Sequence, residues 1–209
     1  FIKDRVSQVL NDYTKAYKLA NEIDYDKEYY DILLYCYAKF LYDYAYYKKS
    51  VKIYKQEISL CESLYGIDSL QISFLYNNIG CVYDHLGAYE KSLEYYTKAL
   101  KLQEQKLGQE HPQTAVTYNN IGSIYRRIGL YENALVYYRK AVKIHQLNRD
   151  GETLDTAFYY SNIGGIYYEY GIYNEALMYY NTATKIRRKI LGEVHHIIAE
   201  SYNNIGSIF

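Results

Sequence analysis

The sequence predicts an all-α chain, a solenoid of antiparallel helix pairs, and three observations carry that prediction. The first is repetition. Tyr76-Asn77-Asn78-Ile79-Gly80 returns as Tyr118-Asn119-Asn120-Ile121-Gly122, Tyr160-Ser161-Asn162-Ile163-Gly164 and Tyr202-Asn203-Asn204-Ile205-Gly206, each block 42 residues after the last. Laid without a gap on residues 118–159, residues 76–117 match at 18 of 42 positions. A period of this length is the mark of stacked supersecondary units. The second is spacing within the period. Tyr76, Ile79, Tyr83 and Leu86 fall on one helical face at steps of three and four. The third is punctuation, because Gly87 follows that face and supplies a residue free to take positive φ.

Each element follows in order. After Gly87 a second stripe runs through Tyr89, Leu93, Tyr96, Ala99, Leu100 and Gln103. The next unit repeats the scheme with Tyr118, Ile121, Tyr125 and Ile128, then Gly129, then Tyr131, Leu135, Tyr138, Ala141 and Val142. A unit is therefore two helices, A and B, joined by a tight turn. Gly80, Gly122, Gly164 and Gly206 sit in the middle of helix A, where Gly costs about 1 kcal/mol relative to Ala. A cost repeated at one register implies close approach of helix B, with Ser92, Ala134 and Ala176 facing the glycine. Ala99, Ala141 and Ala183 are then expected to meet the next unit.

At the unit boundary Leu107-Gly108-Gln109-Glu110-His111-Pro112, Gly108 is placed to close helix B and Pro112 to open the next helix A, where a missing N–H costs nothing. Leu191 to His196 is a second version of the same boundary. Arg149-Asp150-Gly151-Glu152-Thr153-Leu154 has drifted but keeps its length. Run backwards, the register aligns Ala38, Ala45, Tyr47, Ser50, Tyr54 and Gly66 with Gly80, Gly87, Tyr89, Ser92, Tyr96 and Gly108. The expected organisation is one array over residues 1–209. Residues 1–22 form a lone helix B and 23–66 a degenerate repeat. Residues 67–108, 109–150 and 151–192 are full repeats, and 193–209 a partial helix A. Starting without Met and ending inside a repeat, the chain reads as an excerpt of a longer protein, and its exposed repeat ends predict weak self-association.

Composition narrows the function classes. Lys and Arg number 24, as do Asp and Glu, a balance that points away from nucleic acid and anionic membrane as partners. The 32 Tyr, with no Trp, read as background bias of the coding sequence. Cys36, Cys61 and Cys81 are odd in number and form no C-x-x-C pair, so neither a disulfide framework nor a structural metal site is expected. The absence of a signal peptide at Phe1 to Leu10, of an N-x-[ST] sequon and of a long uncharged apolar stretch favours a cytoplasmic setting.

From Leu107 to Tyr125 the residues spell Leu-Gly-x-x-His-Pro-x-Thr-Ala-x-x-Tyr-Asn-Asn-Ile-Gly-x-Ile-Tyr, followed by Gly129, Tyr131, Ala134-Leu135, Tyr138 and Lys140-Ala141. This pattern resembles the tetratricopeptide repeat (TPR), in the 42-residue form of kinesin light chains. The resemblance covers nearly the whole chain. It implies a right-handed superhelix whose helices A line a concave groove for an extended peptide or a partner helix. Carried over position by position, the groove would present Asn77, Asn78, Cys81, Asp84 and His85, then Asn119, Asn120, Ser123, Arg126 and Arg127. Phe158, Asn162, Tyr168 and Glu169 would follow, then Asn203 and Asn204. Five helices A about 10 Å apart would give a groove of roughly 40 Å, room for about a dozen extended residues.

The Asn pairs have two readings. Amides both donate and accept, so a ladder of them could hold a peptide main chain, or one of each pair could bond a neighbouring helix and set the repeat angle. Arg126 and Arg127 likewise either grip an acidic side chain or C-terminus of the ligand in bidentate fashion, or stand solvated and balanced by Asp84 and Glu169. Tyr83, Tyr125 and Tyr167, with Tyr96, Tyr138 and Tyr180, are expected in the interior.

No phosphate loop, G-x-S-x-G or H-E-x-x-H motif is present, and no cofactor is indicated. Cys81 and His85 lie one helical turn apart without a third group to orient them. A non-catalytic protein-interaction scaffold is therefore expected. A regulatory sensor array driving an attached output domain and a self-association platform are the alternatives.

Overall fold

The computed structural model describes residues 2–22, 26–147 and 152–209. Among them are ten helices and no strands: α1 (Ile2–Glu22), α2 (Lys27–Asp43), α3 (Tyr47–Tyr65), α4 (Leu70–His85), α5 (Tyr89–Leu107), α6 (Pro112–Arg127), α7 (Tyr131–Leu147), α8 (Leu154–Glu169), α9 (Tyr173–Leu191) and α10 (His196–Gly206). The chain forms two compact units, Phe1–Tyr95 and Tyr96–Phe209.

Local chemistry starts and stops these helices at the repeat register. His111, Thr153 and His195 lie 42 residues apart and each caps a helix A. Their side chains accept from the backbone N–H of Gln113, Thr156 and Ile197 respectively. Pro112 opens α6 as expected. Of the drifted boundary, Arg149-Asp150-Gly151 lies outside the described residues, while Thr153 keeps the cap. At the turn between A and B, Gly87, Gly129 and Gly171 take φ of 67°, 78° and 71°. Ala45 holds the same position in the degenerate repeat and is forced to φ 62°, the left-handed region a Cβ disfavours.

In the first unit, α2 packs on α3 and α3 on α4. Leu34, Ala38, Leu41, Tyr54, Ile72 and Ile79 fill the interior. The Ser50 hydroxyl donates to the Ala38 carbonyl and the Ser92 hydroxyl to the Gly80 carbonyl, both at 2.8 Å. These two serines tie helix B to the small residue of helix A.

The same interior holds an acidic cluster. Glu57 of α3 is only 3% exposed and its Oε2 has no partner. Burial first, and then the nearby Asp31 of α2, raises its carboxyl from 4.5 to about 9. Asp31 accepts from the Cys61 thiol at 3.2 Å. The positions matching Glu57 in later repeats are Ala99, Ala141 and Ala183.

In the second unit, α6 packs on α7 and α8 on α9, with α7 on α8 and α9 on α10 joining the pairs. A Cβ added at Gly122 would lie 2.8 Å from the Tyr138 ring and 3.3 Å from the Ala134 carbonyl oxygen. One at Gly164 would lie 2.9 Å from Tyr180 and 3.2 Å from the Ala176 carbonyl oxygen. The mid-helix glycines there make room for a buried tyrosine ring first and for the alanine backbone second. Ala141 shares a buried cluster with Tyr159 and Ile163 of the following helix A, whereas Ala183 packs with Ala157 of its own pair.

One polar key sits in each interface between repeats of this unit, always 14 residues apart in sequence. Thr117 donates to Gln103 Oε1 at 2.6 Å. His145 meets Tyr159 edge-on at 5.5 Å. Arg187 donates to the Ser201 hydroxyl at 2.8 Å. All six side chains are buried. The bonds satisfy Thr117 with Gln103 and Arg187 with Ser201, whereas among the described residues His145 Nε2 and the Tyr159 hydroxyl have no hydrogen-bond partner and meet only through their rings.

The tyrosines divide. Tyr96, Tyr138 and Tyr180 are buried as expected. Tyr83, Tyr125 and Tyr167 are only half-buried, because each stacks on a helix-B tyrosine at the rim: Tyr95 at 5.5 Å, Tyr137 at 5.5 Å and Tyr179 at 5.4 Å. Stacking a phenol at an edge buries the ring and leaves its hydroxyl wet.

Candidate functional site

Successive helices A of a unit touch at an offset of one residue beyond the repeat, so position i meets i+43. Three contacts show it: Tyr42 with His85, Asn119 with Asn162, and Arg126 with Glu169. Equivalent residues of neighbouring repeats therefore do not face one another, and each contact pairs two different registers.

In the first unit the Tyr42 ring meets His85 edge-on at 5.1 Å, with its hydroxyl 3.3 Å from Nδ1. Burial, and after it the neighbouring Cys81, pushes the Tyr42 phenol up to about 12. His85 Nδ1 also lies 3.0 Å from the Cys81 carbonyl oxygen, so the imidazole is engaged with backbone and phenol. Asn77 and Asn78 are half-buried on α4.

In the second unit Asn162 donates to Asn119 Oδ1 at 2.8 Å, and Asn119 is 5% exposed. The bond joins the second amide of one repeat to the first position of the pair in another. It uses one donor and one acceptor, leaving each amide further hydrogen-bonding capacity. Asn120 is half-buried, Asn203 exposed and Asn204 half-buried. Tyr168, half-buried, rests against Tyr173 with ring centroids 5.8 Å apart.

Three of the expected site residues converge. Arg126, Arg127 and Asn162 line one cavity of about 450 Å³ with Ser123, Phe158 and Glu169, and Tyr131 and Tyr138 of α7 close its wall. Phe158 is 48% exposed, an apolar seat beside the cations. Arg126 Nη2 reaches Glu169 Oε1 at 3.4 Å, so the balancing role expected of Glu169 is present. Asn203, Asn204 and Tyr168 lie outside this cavity's lining.

Sequence reasoning missed the acidic cluster of Asp31 and Glu57. The signal was available, because charged residues replace what later repeats write as Ala115 and Ala157 against Asp31, and Ala99 and Ala141 against Glu57. No group of three or more His, Cys, Asp or Glu suited to a metal ion occurs among the described residues.

The tetratricopeptide repeat pattern matches residues 30–105, 85–147 and 113–189. The chain therefore belongs to the tetratricopeptide repeat family, whose arrays generally mediate protein–protein interaction and are typically non-catalytic. No curated protein sequence matches it.

Among solved structures it is similar to BtubC (BKLC) from P. vanneervenii, with a TM-score of 0.79 and 21% identity, covering 99% of this chain and 82% of that one. It is similar too to a Podosopora anserina protein described as a kinesin light chain with nearly identical TPR-like repeats, at TM-score 0.72 and 12% identity, covering 91% of each chain. A third neighbour is MamA, at TM-score 0.61 and 17% identity, covering 90% of this chain and 92% of that one. These neighbours share the fold: a kinesin-light-chain-like solenoid of helix pairs. Among the described residues no helix is long and apolar enough to cross a membrane.

Proposed function

We propose that the chain is a cytoplasmic scaffold whose helices A present a groove to an extended peptide or partner helix carrying an acidic residue. One observation carries this reading. The cavity of the second unit gathers two guanidinium groups, an amide and an exposed phenyl ring on adjoining helices A. Arginine offers a planar fork that matches a carboxylate. Asn162 keeps one N–H and its oxygen for a peptide main chain, and Phe158 supplies apolar area. The Asn119–Asn162 bond supports a divided role for the amides, one edge fixing the helices and the other open to a ligand.

The test begins with a pull-down using this chain and reduction of the captured partner to its shortest binding peptide. Affinity is then measured by calorimetry for the native chain and for the double variant Arg126→Glu/Arg127→Glu. A loss of tenfold or more, about 1.4 kcal/mol, is expected for a peptide with an acidic residue. Unchanged affinity removes both arginines from the mechanism.

A further inference from the structure

Helix α8 carries two adjacent glycines at its centre, Gly164 and Gly165. Each weakens the helix relative to Ala, so each calls for a reason. The ring of Tyr180 accounts for Gly164. Gly165 has a different neighbour: a Cβ there would lie 3.0 Å from Arg126 Nη2 and 3.1 Å from both Cζ and Nη1. The same register holds Cys81 and Ser123 in earlier repeats. Glycine thus stands where the Arg126 guanidinium lies flat against α8 on its way to Glu169. The pair it forms is loose. At 3.4 Å, with side chains 36% and 42% exposed, it is longer than the 2.7–2.9 Å of a good charge-assisted bond.

We propose that Glu169 is an internal stand-in for the ligand's carboxylate, and that Gly165 is the berth that keeps Arg126 extended and available. This rests on the peptide-groove reading and adds a selection step. An incoming acidic side chain replaces Glu169 on Arg126 with shorter, bidentate bonds. A neutral side chain cannot displace it and leaves the cavity closed by its own ion pair. Gly165 therefore sets the preference of the site for acidic peptides by holding Arg126 in place, while Glu169, of the same charge as the ligand, competes with it and tempers its affinity.

The experiment uses the full chain, its variants Glu169→Gln and Gly165→Ala, and two probes: a short Gly/Ser peptide with one Leu–Glu step, and its Leu–Gln counterpart. Calorimetry at low salt should show Glu169→Gln binding the Leu–Glu peptide about threefold tighter, the scale of an exposed ion pair, with the Leu–Gln peptide unchanged. The three atoms nearest an added Cβ at Gly165 all belong to the flexible end of Arg126, so Gly165→Ala should fold normally and lose the preference for Leu–Glu. If Glu169→Gln leaves Leu–Glu binding unchanged or weaker while the native chain still prefers that peptide, the stand-in role is overturned and the arginine site survives. If Arg126→Glu/Arg127→Glu binds both peptides as the native chain does, or if no form binds either, the arginine reading fails and the proposal with it.

Discussion

Glu57→Gln removes one ionisable group from the interior of the first unit while keeping size and hydrogen-bonding shape. The native carboxyl is raised from 4.5 to about 9 by burial and by Asp31. Below pH 4.5 the native and unfolded chains both hold the proton. Above it the unfolded chain releases the proton and the native chain keeps it, so stability falls steadily until the pH passes about 9. At 1.36 kcal/mol per pH unit, the rise from 4.5 to pH 7 costs about 3 kcal/mol, and the interval from pH 5 to pH 8 costs about 4 kcal/mol. That is a large share of what a small domain possesses.

Hydrogen exchange of amides in α2 and α3, corrected for the intrinsic rate, reads this locally and does not require the whole array to unfold as one. The native chain should lose protection strongly between pH 5 and pH 8. Glu57→Gln should lose less than about 1 kcal/mol over the same interval, and should be the more stable of the two at pH 8. Equal pH slopes in both proteins would show that Glu57 does not hold its proton in the fold, and the reasoning from its burial would fall.

Three further outcomes follow from packing. Gly122→Ala drives a methyl to within 2.8 Å of the buried Tyr138 ring and should cost about 1–3 kcal/mol, visible as a lower midpoint for the second unit in urea. No loss of stability would mean that the glycine is not there for the ring. Ala45→Gly relieves a residue held at φ 62° and should raise the stability of the first unit by about 0.5–1 kcal/mol, read by thermal unfolding; a fall would refute it. Asn162→Ala strands the buried Asn119 oxygen and should cost about 1–2 kcal/mol. A cycle with Asn119→Ala should then return a coupling energy between the two, and its absence would assign both amides to ligand binding alone.

Much of the fold was legible because a repeat states its rules several times. The 42-residue register located the glycine turns, the start of α6 at Pro112 and the small residues between helices, each a local preference written several times over. The caps at His111 and His195 emerged only from the structure. The candidate site was legible only in part. Arg126, Arg127 and Asn162 do meet in one cavity, but comparing equivalent residues could not reveal that neighbouring helices A touch at i+43. That offset arises from how the helices lie side by side. It is why Asn119 finds Asn162 and not the serine at its own register, Ser161.

The sequence by itself determined the helix pair, its period and the residues on each face, because helical spacing and turn chemistry are properties of a few consecutive residues. Tertiary structure alone decided which polar groups are consumed. The Glu57 carboxyl is pushed up because it is buried beside Asp31 of α2. Arg126 lies flat because Gly165 of the next helix A leaves space. Tyr83, Tyr125 and Tyr167 stay at the rim because a helix-B tyrosine stacks there. Each depends on distances between segments far apart in the chain, which a repeating pattern implies but does not measure.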